Sequence, residues 1–512
     1  MRRHRAASRT LAARARVAAV VFTTLGALGY LAAAPATALS PAATPLVAPA
    51  ATPPATGLVA THATAPAVDA APSAAASGVS QTVPVKHVVV LFMENQSFDS
   101  IFGYWCDQHL KRCPDGRMPS SVALSNGVTV IPRVSPDKVP NVRHTVADQV
   151  AAIDGGKMDG WANMPTKDCD AATNYQCITG YQPAKIPNLI TLAQGFAISD
   201  HTFSVADSPS WAGHMAMVAA STDHFYGDNP HSVPGVKAGP GWGCESNRVT
   251  PWVAPGGGTK TVPSCVPDPS LGLPFGGAFR ATPVPYMPTI MDRLDAAGLS
   301  WKIYGSTRQA KGYGIWDICP TFAECLNTGQ FTRLVPDSRF MTDAAAGTLP
   351  AFSVLTPGGT HFLDACHNNM SITACDNWIG QLVSAAEKGP EWPSTAVFLT
   401  FDDFGGFYDQ RPPPVEPDGT QEGPRVPLII ISPYAKPGYT DTTATTFAGM
   451  LAYTEHIFGL RPLGANDAAA YPFTNAFNYS QVPLKPLPMI HQPLPVSAKR
   501  IRLTPQLAND PT

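Results

Sequence analysis

The stretch KHVVVLFMENQSFDSIFGYW, residues 86–105, constrains the fold more than any other part of the chain. Residues 88–92 are an uninterrupted run of five apolar side chains. Four oxygen-bearing side chains follow within six positions: Glu94, Asn95, Ser97 and Asp99. A continuous apolar run is typical of a strand that is covered on both faces, as in a parallel sheet. Polar groups directly after such a strand are expected at the edge where open α/β sheets bind ligands.

Further apolar runs, separated by helical patterns, predict the same kind of sheet. The predicted strands are 87–92, 301–304, 351–355, 395–401 and 426–432. The predicted helices are 187–196, 211–220, 288–298, 376–387 and 444–460. Strands that alternate with helices predict an α/β fold with a mainly parallel central sheet flanked by helices. The Gly- and Pro-rich residues 226–286 indicate a loop-rich surface insertion, a candidate for the rim of a site.

The first 38 residues are typical of a secretory signal peptide. Six arginines precede position 17, the apolar run VAAVVFTTLGALGYLAAA follows, and Ala36-Thr37-Ala38 offers a cleavage site. A retained membrane anchor is the alternative, and the export route stays open. Residues 39–83, rich in Ala, Pro, Thr and Ser, indicate a disordered linker. Residues 84–512 are then the folded domain of a protein that is secreted or associated with the cell surface.

Charge and cysteine content agree with export. Loss of the six arginines takes the formal net charge from −2 to −8, which argues against nucleic acid as a partner. Ten cysteines are spaced as five short loops, as expected in an oxidising compartment. Nearest-neighbour pairing gives Cys106–Cys113, Cys169–Cys177, Cys244–Cys265, Cys319–Cys325 and Cys366–Cys375. A zinc site is the alternative, but the chain contains no C-x-x-C pair.

A second buried strand also ends in carboxylates. In STAVFLTFDDFGGFYD, the residues after the apolar run are Asp402 and Asp403. Two adjacent carboxylates raise each other's pKa unless a cation lies between them. Together with Glu94 and Asn95 they offer the oxygen ligands that a divalent metal ion prefers. The alternatives are a turn with a helix cap at 402–403 and a capping box near Ser97.

Ser210 lies just before a helical pattern, in DSPSWAGH. A hydroxyl at a helix N-terminus sits where exposed N–H groups favour a phosphate, and a bound metal could ionise that hydroxyl for attack on phosphorus. The alternative is that Ser210 is only an N-cap. Three histidines, His144, His214 and His367, are candidates to protonate a leaving oxygen or to hold a phosphoryl oxygen, although a lone histidine is more often structural.

Five ordered motifs resemble the bacterial phosphoesterase family of phospholipases C and secreted acid phosphatases, which is related to alkaline phosphatases and sulfatases. They are HVVVLFMENQSFDSIFG, GGKMDGW, DSPSWAGH, FDDFGGFYDQRPPP and GPRVPLIIISPYAKPGY. The resemblance implies that residues 84–512 form a catalytic domain with one divalent metal ion. The implied ligands are Glu94, Asn95, Ser210, Asp402 and Asp403. It also implies that Ser210 is the nucleophile and that His144 and His367 contact the phosphoryl group or act as the acid.

The chain departs from the phospholipase pattern at the nucleophile. Phospholipases of the family usually have P-T-x-P-N-R there, whereas this chain has PSWAGH. Gln410 replaces the histidine that often follows F-Y-D, and the second histidine of the middle region has no evident match. The change at the nucleophile favours serine over threonine and argues against phospholipid substrates. The lack of an obvious amphipathic membrane-binding helix in the sequence also favours soluble phosphomonoesters.

The sequence and the resemblance together therefore predict a secreted, metal-dependent phosphoesterase, similar to an acid phosphatase, that acts through a serine nucleophile and a phosphoseryl intermediate. One alternative is a phospholipase C that acts on phospholipid headgroups and makes peripheral contact with membranes. The other is a non-catalytic, exported metal-binding protein of the cell surface. The identity of the metal and the oligomeric state do not follow from the sequence.

Overall fold

A computed structural model describes residues 83–205, 209–415 and 421–503. The strands are β1 His87–Met93, β2 Val122–Ala123, β3 Thr129–Val130, β4 Arg133–Val134, β5 Thr179–Gly180, β6 Ala197–Ser199, β7 His231–Ser232, β8 Arg248–Val253, β9 Thr259–Pro263, β10 Trp301–Gly305, β11 Leu334–Pro336, β12 Phe352–Leu355, β13 Thr395–Phe401, β14 Leu428–Ile431 and β15 Thr440–Asp441. The predicted signal peptide and nearly all of the predicted linker lie outside the described residues.

Eleven α-helices accompany these strands in the described part of the chain. They are α1 Phe98–Cys106, α2 Val146–Ile153, α3 Pro187–Gly195, α4 Ser210–Ala219, α5 Ile290–Ala296, α6 Ala323–Asn327, α7 Arg339–Ala346, α8 Ile372–Lys388, α9 Ala448–Phe458, α10 Ala465–Ala469 and α11 Val496–Leu503. Each predicted helix coincides with one of them, and α8 starts four residues earlier than predicted because Ser371 caps it.

The central sheet has eight strands in the order β11-β10-β12-β1-β13-β14-β6-β15. The strands from β11 to β13 are all parallel, whereas β14 is antiparallel to both of its neighbours. The predicted mainly parallel α/β sheet is therefore confirmed. Every residue of β12, β13 and β14 is buried, as are the last six of β1, because helices cover both faces.

The pairing of β1 with β13 determines where the site forms. Met93 lies opposite Phe401 in parallel register, so the residues that follow the two strands emerge side by side. The carboxyl ends of both strands lie in the middle of the sheet, between β12 and β14. The polar groups after 93 and after 401 are consequently brought together although they are about three hundred positions apart in sequence.

All ten cysteines form disulfides, with the five nearest-neighbour pairings that the sequence predicts. The predicted insertion contains a three-stranded antiparallel sheet, β7-β8-β9. The disulfide Cys244–Cys265 links the segment before β8 to the segment after β9. Across the described ranges, we find no helix with both the length and the apolar character to cross a membrane.

Candidate metal and phosphoester site

The residues after β1 and β13 form two facing turns. Asn95 has a left-handed backbone, with φ of 62°, which turns the chain sharply after the strand. Its N–H donates to Asp402 Oδ1 at 2.8 Å, and Gln96 N donates to Asp403 O at 3.0 Å. Asp403 in turn accepts from Gly405 N at 2.7 Å, so a turn is present, but no helix follows it in the described residues 404–415 and the helix-cap part of that alternative is wrong. The turn and the candidate ligand pair are thus the same residues, and the two interpretations do not compete.

Two carboxylates and an imidazole meet between the turns. His214 Nε2 lies 2.9 Å from Glu94 Oε1 and 3.9 Å from Asp402 Oδ2. Each of the three residues offers one possible ligand atom, and these three atoms all lie within 4.8 Å of one another. All three side chains are buried, and burial, followed by the charge of Asp403, raises the pKa of Asp402 to about 7. Such a crowded, buried acid group is the environment that a divalent cation stabilises.

Ser210 is the first residue of α4 and faces the turns. Its hydroxyl donates weakly to Asn95 Oδ1 and to Asp403 Oδ2, each at 3.4 Å. The N-cap position belongs to Pro209, so the alternative in which Ser210 only caps the helix is wrong. Close approach of α4 depends on Gly213, because a Cβ there would lie 3.0 Å from Asp402 O.

His144 reaches the same pair of groups from another segment. Its Nε2 lies 3.3 Å from Asp403 Oδ2 and 3.3 Å from Asn95 Nδ2, and its Nδ1 lies 3.2 Å from Val142 O. Asp403 Oδ2 can only accept from Nε2, whereas Asn95 Nδ2 can only donate to it, and Val142 O can accept from Nδ1. His144 therefore lies within hydrogen-bonding reach of two candidate ligands, one a carboxylate and one an amide.

His367 lies on the neighbouring loop, with its Nδ1 3.0 Å from Asn368 O. The centroid of its ring lies 5.7 Å from that of Trp316, and the two ring planes are inclined at 38°. The side chain of Asn368 links this loop to the site. It accepts from Asn95 Nδ2 at 3.2 Å and donates to Val142 O at 2.6 Å. Sequence reasoning missed Asn368, and its place beside His367 is the only signal that could have indicated it.

Sequence reasoning placed His214 among the groups that act on the substrate, whereas its measured contacts are with the carboxylates of Glu94 and Asp402. The ring edge of His214 also packs against Phe92, with ring centroids 4.8 Å apart. A spacing signal existed, because His214 lies one helical turn after Ser210 and therefore shares its face of α4.

The sequence profile of the Phosphoesterase family matches residues 85–461. This chain belongs to that family. Among curated proteins, the chain is 24% identical over 468 residues to the non-hemolytic phospholipase C of Pseudomonas aeruginosa, which covers 79% of this chain and 58% of that protein. It is 25% identical to the non-specific phospholipase C4 of Arabidopsis thaliana, covering 70% and 64%. With phospholipase C A of Mycobacterium tuberculosis the identity is 24%, over 80% of each chain.

The chain thus spans about three fifths of the length of the first two of these relatives. Among solved structures, it is similar to a Vibrio parahaemolyticus protein of the alkaline phosphatase superfamily, with 12% identity, a TM-score of 0.33 and coverage of 75% and 69%. It is also similar to the phosphonate monoester hydrolase of Agrobacterium radiobacter, with 11% identity, a TM-score of 0.30 and coverage of 74% of each chain.

Proposed function

We propose that this protein hydrolyses phosphate esters, with Ser210 as the nucleophile and one divalent cation as cofactor. The observation that carries the proposal is the convergence of the Ser210 hydroxyl with Asn95 and Asp403, beside the buried group of Glu94, His214 and Asp402. Membership of the Phosphoesterase family supports it independently of that geometry.

The donor set fits a hard or borderline cation. Glu94, Asp402 and Asp403 would supply carboxylate oxygens and Asn95 an amide oxygen, and His214 offers an imidazole nitrogen as a further ligand. Such a cation, when bound, lowers the pKa of a hydroxyl in its coordination sphere and offsets negative charge on phosphoryl oxygens. Without a positive charge, burial would hold part of the Asp402 population protonated at neutral pH.

Ser210 Oγ would attack phosphorus and form a Ser210 O–P bond while the bond from phosphorus to the leaving oxygen breaks. Asp403 Oδ2 would accept the hydroxyl proton, and its distance of 3.4 Å from Ser210 Oγ supports this role. His144 in its protonated form would give a proton to the leaving alkoxide, and His367 is the alternative donor. Water would then attack phosphorus while the Ser210 O–P bond breaks and phosphate leaves. Asp403 would return its proton to Ser210 Oγ, and the attacking water would give one proton to His144, so both groups regain their starting protonation.

Phospholipid headgroups are a second candidate substrate. The three curated relatives described above are named phospholipases C. In this chain, Leu273 and Phe275 of the insertion, at a short 3-10 helix, are exposed to solvent over 47% and 54% of their surfaces. Neighbouring exposed aromatic and aliphatic groups suit contact with a lipid surface. The departure from P-T-x-P-N-R at Ser210 favours monoesters, so we place phospholipids second.

The test compares three substrates before and after chelation: p-nitrophenyl phosphate, bis-p-nitrophenyl phosphate and phosphatidylcholine vesicles. We expect turnover that chelation abolishes and that added divalent metal restores, with metal bound to the purified protein. Ser210→Ala should lower kcat at least about 10³-fold, since nucleophile and base act together. Ser338→Ala, an exposed serine at the start of α7, is the matched control and should leave kcat unchanged.

Retention of most activity by Ser210→Ala would disprove the nucleophile assignment. Bound metal without turnover of any of the three esters would favour the non-catalytic alternative instead. Preference for vesicles over the soluble esters would reverse the order of the two substrate candidates.

A further inference from the structure

Besides the turn at 402–403, residues 364–371 also contact the turn that carries Glu94 and Asn95, and we name this segment the histidine loop because it contains His367. The hydrogen bonds from the turn to this loop are Glu94 N to Ala365 O at 3.0 Å, Gln96 Nε2 to Cys366 O at 3.0 Å and Asn95 Nδ2 to Asn368 Oδ1 at 3.2 Å. Each residue of the turn 94–96 is therefore bonded to the histidine loop.

The loop's own backbone is irregular and needs outside support. Cys366 and Asn369 both have left-handed backbones, with φ of 70° and 67°. Asparagine tolerates this conformation, whereas cysteine adopts it at a cost. The disulfide Cys366–Cys375 ties the loop to α8 from within. The remaining support comes from segments on either side of the loop.

Asp137 fastens the end of the loop. Its carboxylate accepts from Ser371 Oγ at 3.0 Å and from Thr373 N at 3.2 Å, and its carbonyl accepts from Ile372 N at 2.9 Å. The same segment continues as a short ladder with the loop, in which Val139 N donates to Met370 O at 2.8 Å. Asp137 thus fixes the loop against the segment that leads to His144.

Helix α11 contacts the histidine loop near both of its ends. Ser497 Oγ donates to Asp137 Oδ2 at 2.7 Å, next to the end of the loop. Arg502 forms a salt bridge with Asp364, the first residue of the loop. Between them, Ala498 and Ile501 are buried, so the helix lies against the domain through one face. These contacts come from residues beyond 461, where the match to the family profile ends.

We propose that α11 is a clasp that fixes the histidine loop and, through it, the ligand turn 94–96. Ser497 and Arg502 are then positioning residues, because they act through Asp137 and Asp364 and not on a substrate. The effect on catalysis rests on the proposed function, whereas the effect on the loop does not. Loss of the clasp lets the loop open locally while the sheet stays folded.

The test measures amide hydrogen exchange of the full-length chain for the backbone N–H groups of 94–96 and 369–372. The variants are Ser497→Ala, Arg502→Gln and the double variant, and Lys499→Gln on the exposed side of the same helix is the matched control. We expect about 5-fold faster exchange in each single variant and more than 10-fold in the double variant, as loss of one and two hydrogen bonds predicts. Amides of β13 should exchange as in the unchanged chain.

Rescue variants separate positioning from a merely structural role. Ser497→Thr keeps the hydroxyl, so its amides should exchange as slowly as those of the unchanged chain. The kcat for p-nitrophenyl phosphate should fall in the variants with faster exchange and recover in Ser497→Thr, while KM changes less than 2-fold. Unchanged exchange in the double variant, or equal acceleration throughout the sheet, would overturn the clasp. If the unchanged chain turns over no ester, the proposed function fails, but the exchange result still decides for or against the clasp.

Discussion

Asn95 shows how one position can require a single residue type for two separate reasons. Its left-handed backbone, with φ of 62°, excludes most side chains, and asparagine is among the few that tolerate it. Both polar atoms of its side-chain amide also form hydrogen bonds, because Oδ1 accepts from Ser210 Oγ and Nδ2 donates to Asn368 Oδ1. Asp would tolerate the backbone but would lose the donor and add a charge to a buried acidic group.

The two requirements can be separated by comparing Asn95→Gly with Asn95→Ala. Both lose the amide, so we expect both to lose most of the activity and most of the metal affinity. Only alanine also strains the left-handed backbone, so Asn95→Gly should be more stable by about 1 kcal/mol, measured by denaturant unfolding without metal. The exposed Asn247, with φ of 54°, is the control and should show the same stability difference without a change in activity. Equal stability of the two Asn95 variants would contradict the argument.

At the scale of elements, a buried arginine joins helix α1 to two segments that lie some three hundred positions later in the sequence. Arg425, on the segment before β14, contacts Asp99 of α1 at 2.9 Å and Asp409 of the loop after β13 at 3.1 Å. Its guanidinium also lies 4.2 Å from the ring centroid of Phe98. All three side chains are fully buried. Burial by itself lowers the pKa of Arg425, but the facing Asp409 and Asp99 outweigh it and raise that pKa above its usual value. This cluster fixes α1, and with it the turn 94–96, against the loop that follows Asp403.

Arg425→Lys should destabilise the protein strongly although the charge is kept. Lysine cannot reproduce the planar fork that reaches both carboxylates and two main-chain carbonyls. Leaving buried groups partly unpaired costs about 3 kcal/mol. Arg411→Lys, at a half-exposed ion pair with Asp115, is the matched control and should change stability by less than about 0.5 kcal/mol. Similar unfolding midpoints for the two variants would show that the buried cluster contributes little.

Prediction from the sequence succeeded where the signal was local. The run 395–401 matches β13, and Cys366–Cys375 forms as its short spacing suggested. It failed where contacts join distant positions without a pattern: nothing near Arg425 indicates Asp99, and nothing near Ser497 indicates Asp137. The convergence of Glu94 with Asp402 was predictable because parallel strand ends share one edge of a sheet, whereas the contact of His214 with both needed the approach of α4.

For the molecule as a whole, several buried acidic side chains should make the stability of the fold depend on pH. Burial raises the pKa of Asp317 to about 8, of Asp376 to about 7 and of Glu387 to about 7. The pKa of Glu455 rises to about 9 for the same reason. In the unfolded chain these groups titrate near 4, so between pH 4 and their folded pKa the folded protein binds more protons than the unfolded chain.

The free energy of unfolding should therefore decrease as pH rises above about 5. Stability conferred by the protonated acids is complete below their unfolded pKa and is lost as pH rises through the folded values, so metal-free protein should be more stable at pH 5 than at pH 8. One fully buried acid contributes a slope of at most about 1.4 kcal/mol per pH unit, and Glu455, with 4% of its surface exposed, is buried like the other three. We expect the thermal midpoint, measured by calorimetry with chelator present, to fall by about 5 °C between these pH values.

Asp317 offers the most direct check, because its side chain is fully buried and accepts a hydrogen bond from Gly314 N at 2.8 Å that asparagine can also accept. Asp317→Asn removes the titrating proton, so the variant should lose part of the pH dependence and gain on the order of 2 kcal/mol of stability at pH 8 relative to the unchanged chain. Exposed Asp115→Asn is the control and should leave the profile unchanged. A midpoint that rises from pH 5 to pH 8, or an Asp317→Asn variant with the original slope, would mean that these carboxyl groups are ionised in the folded protein.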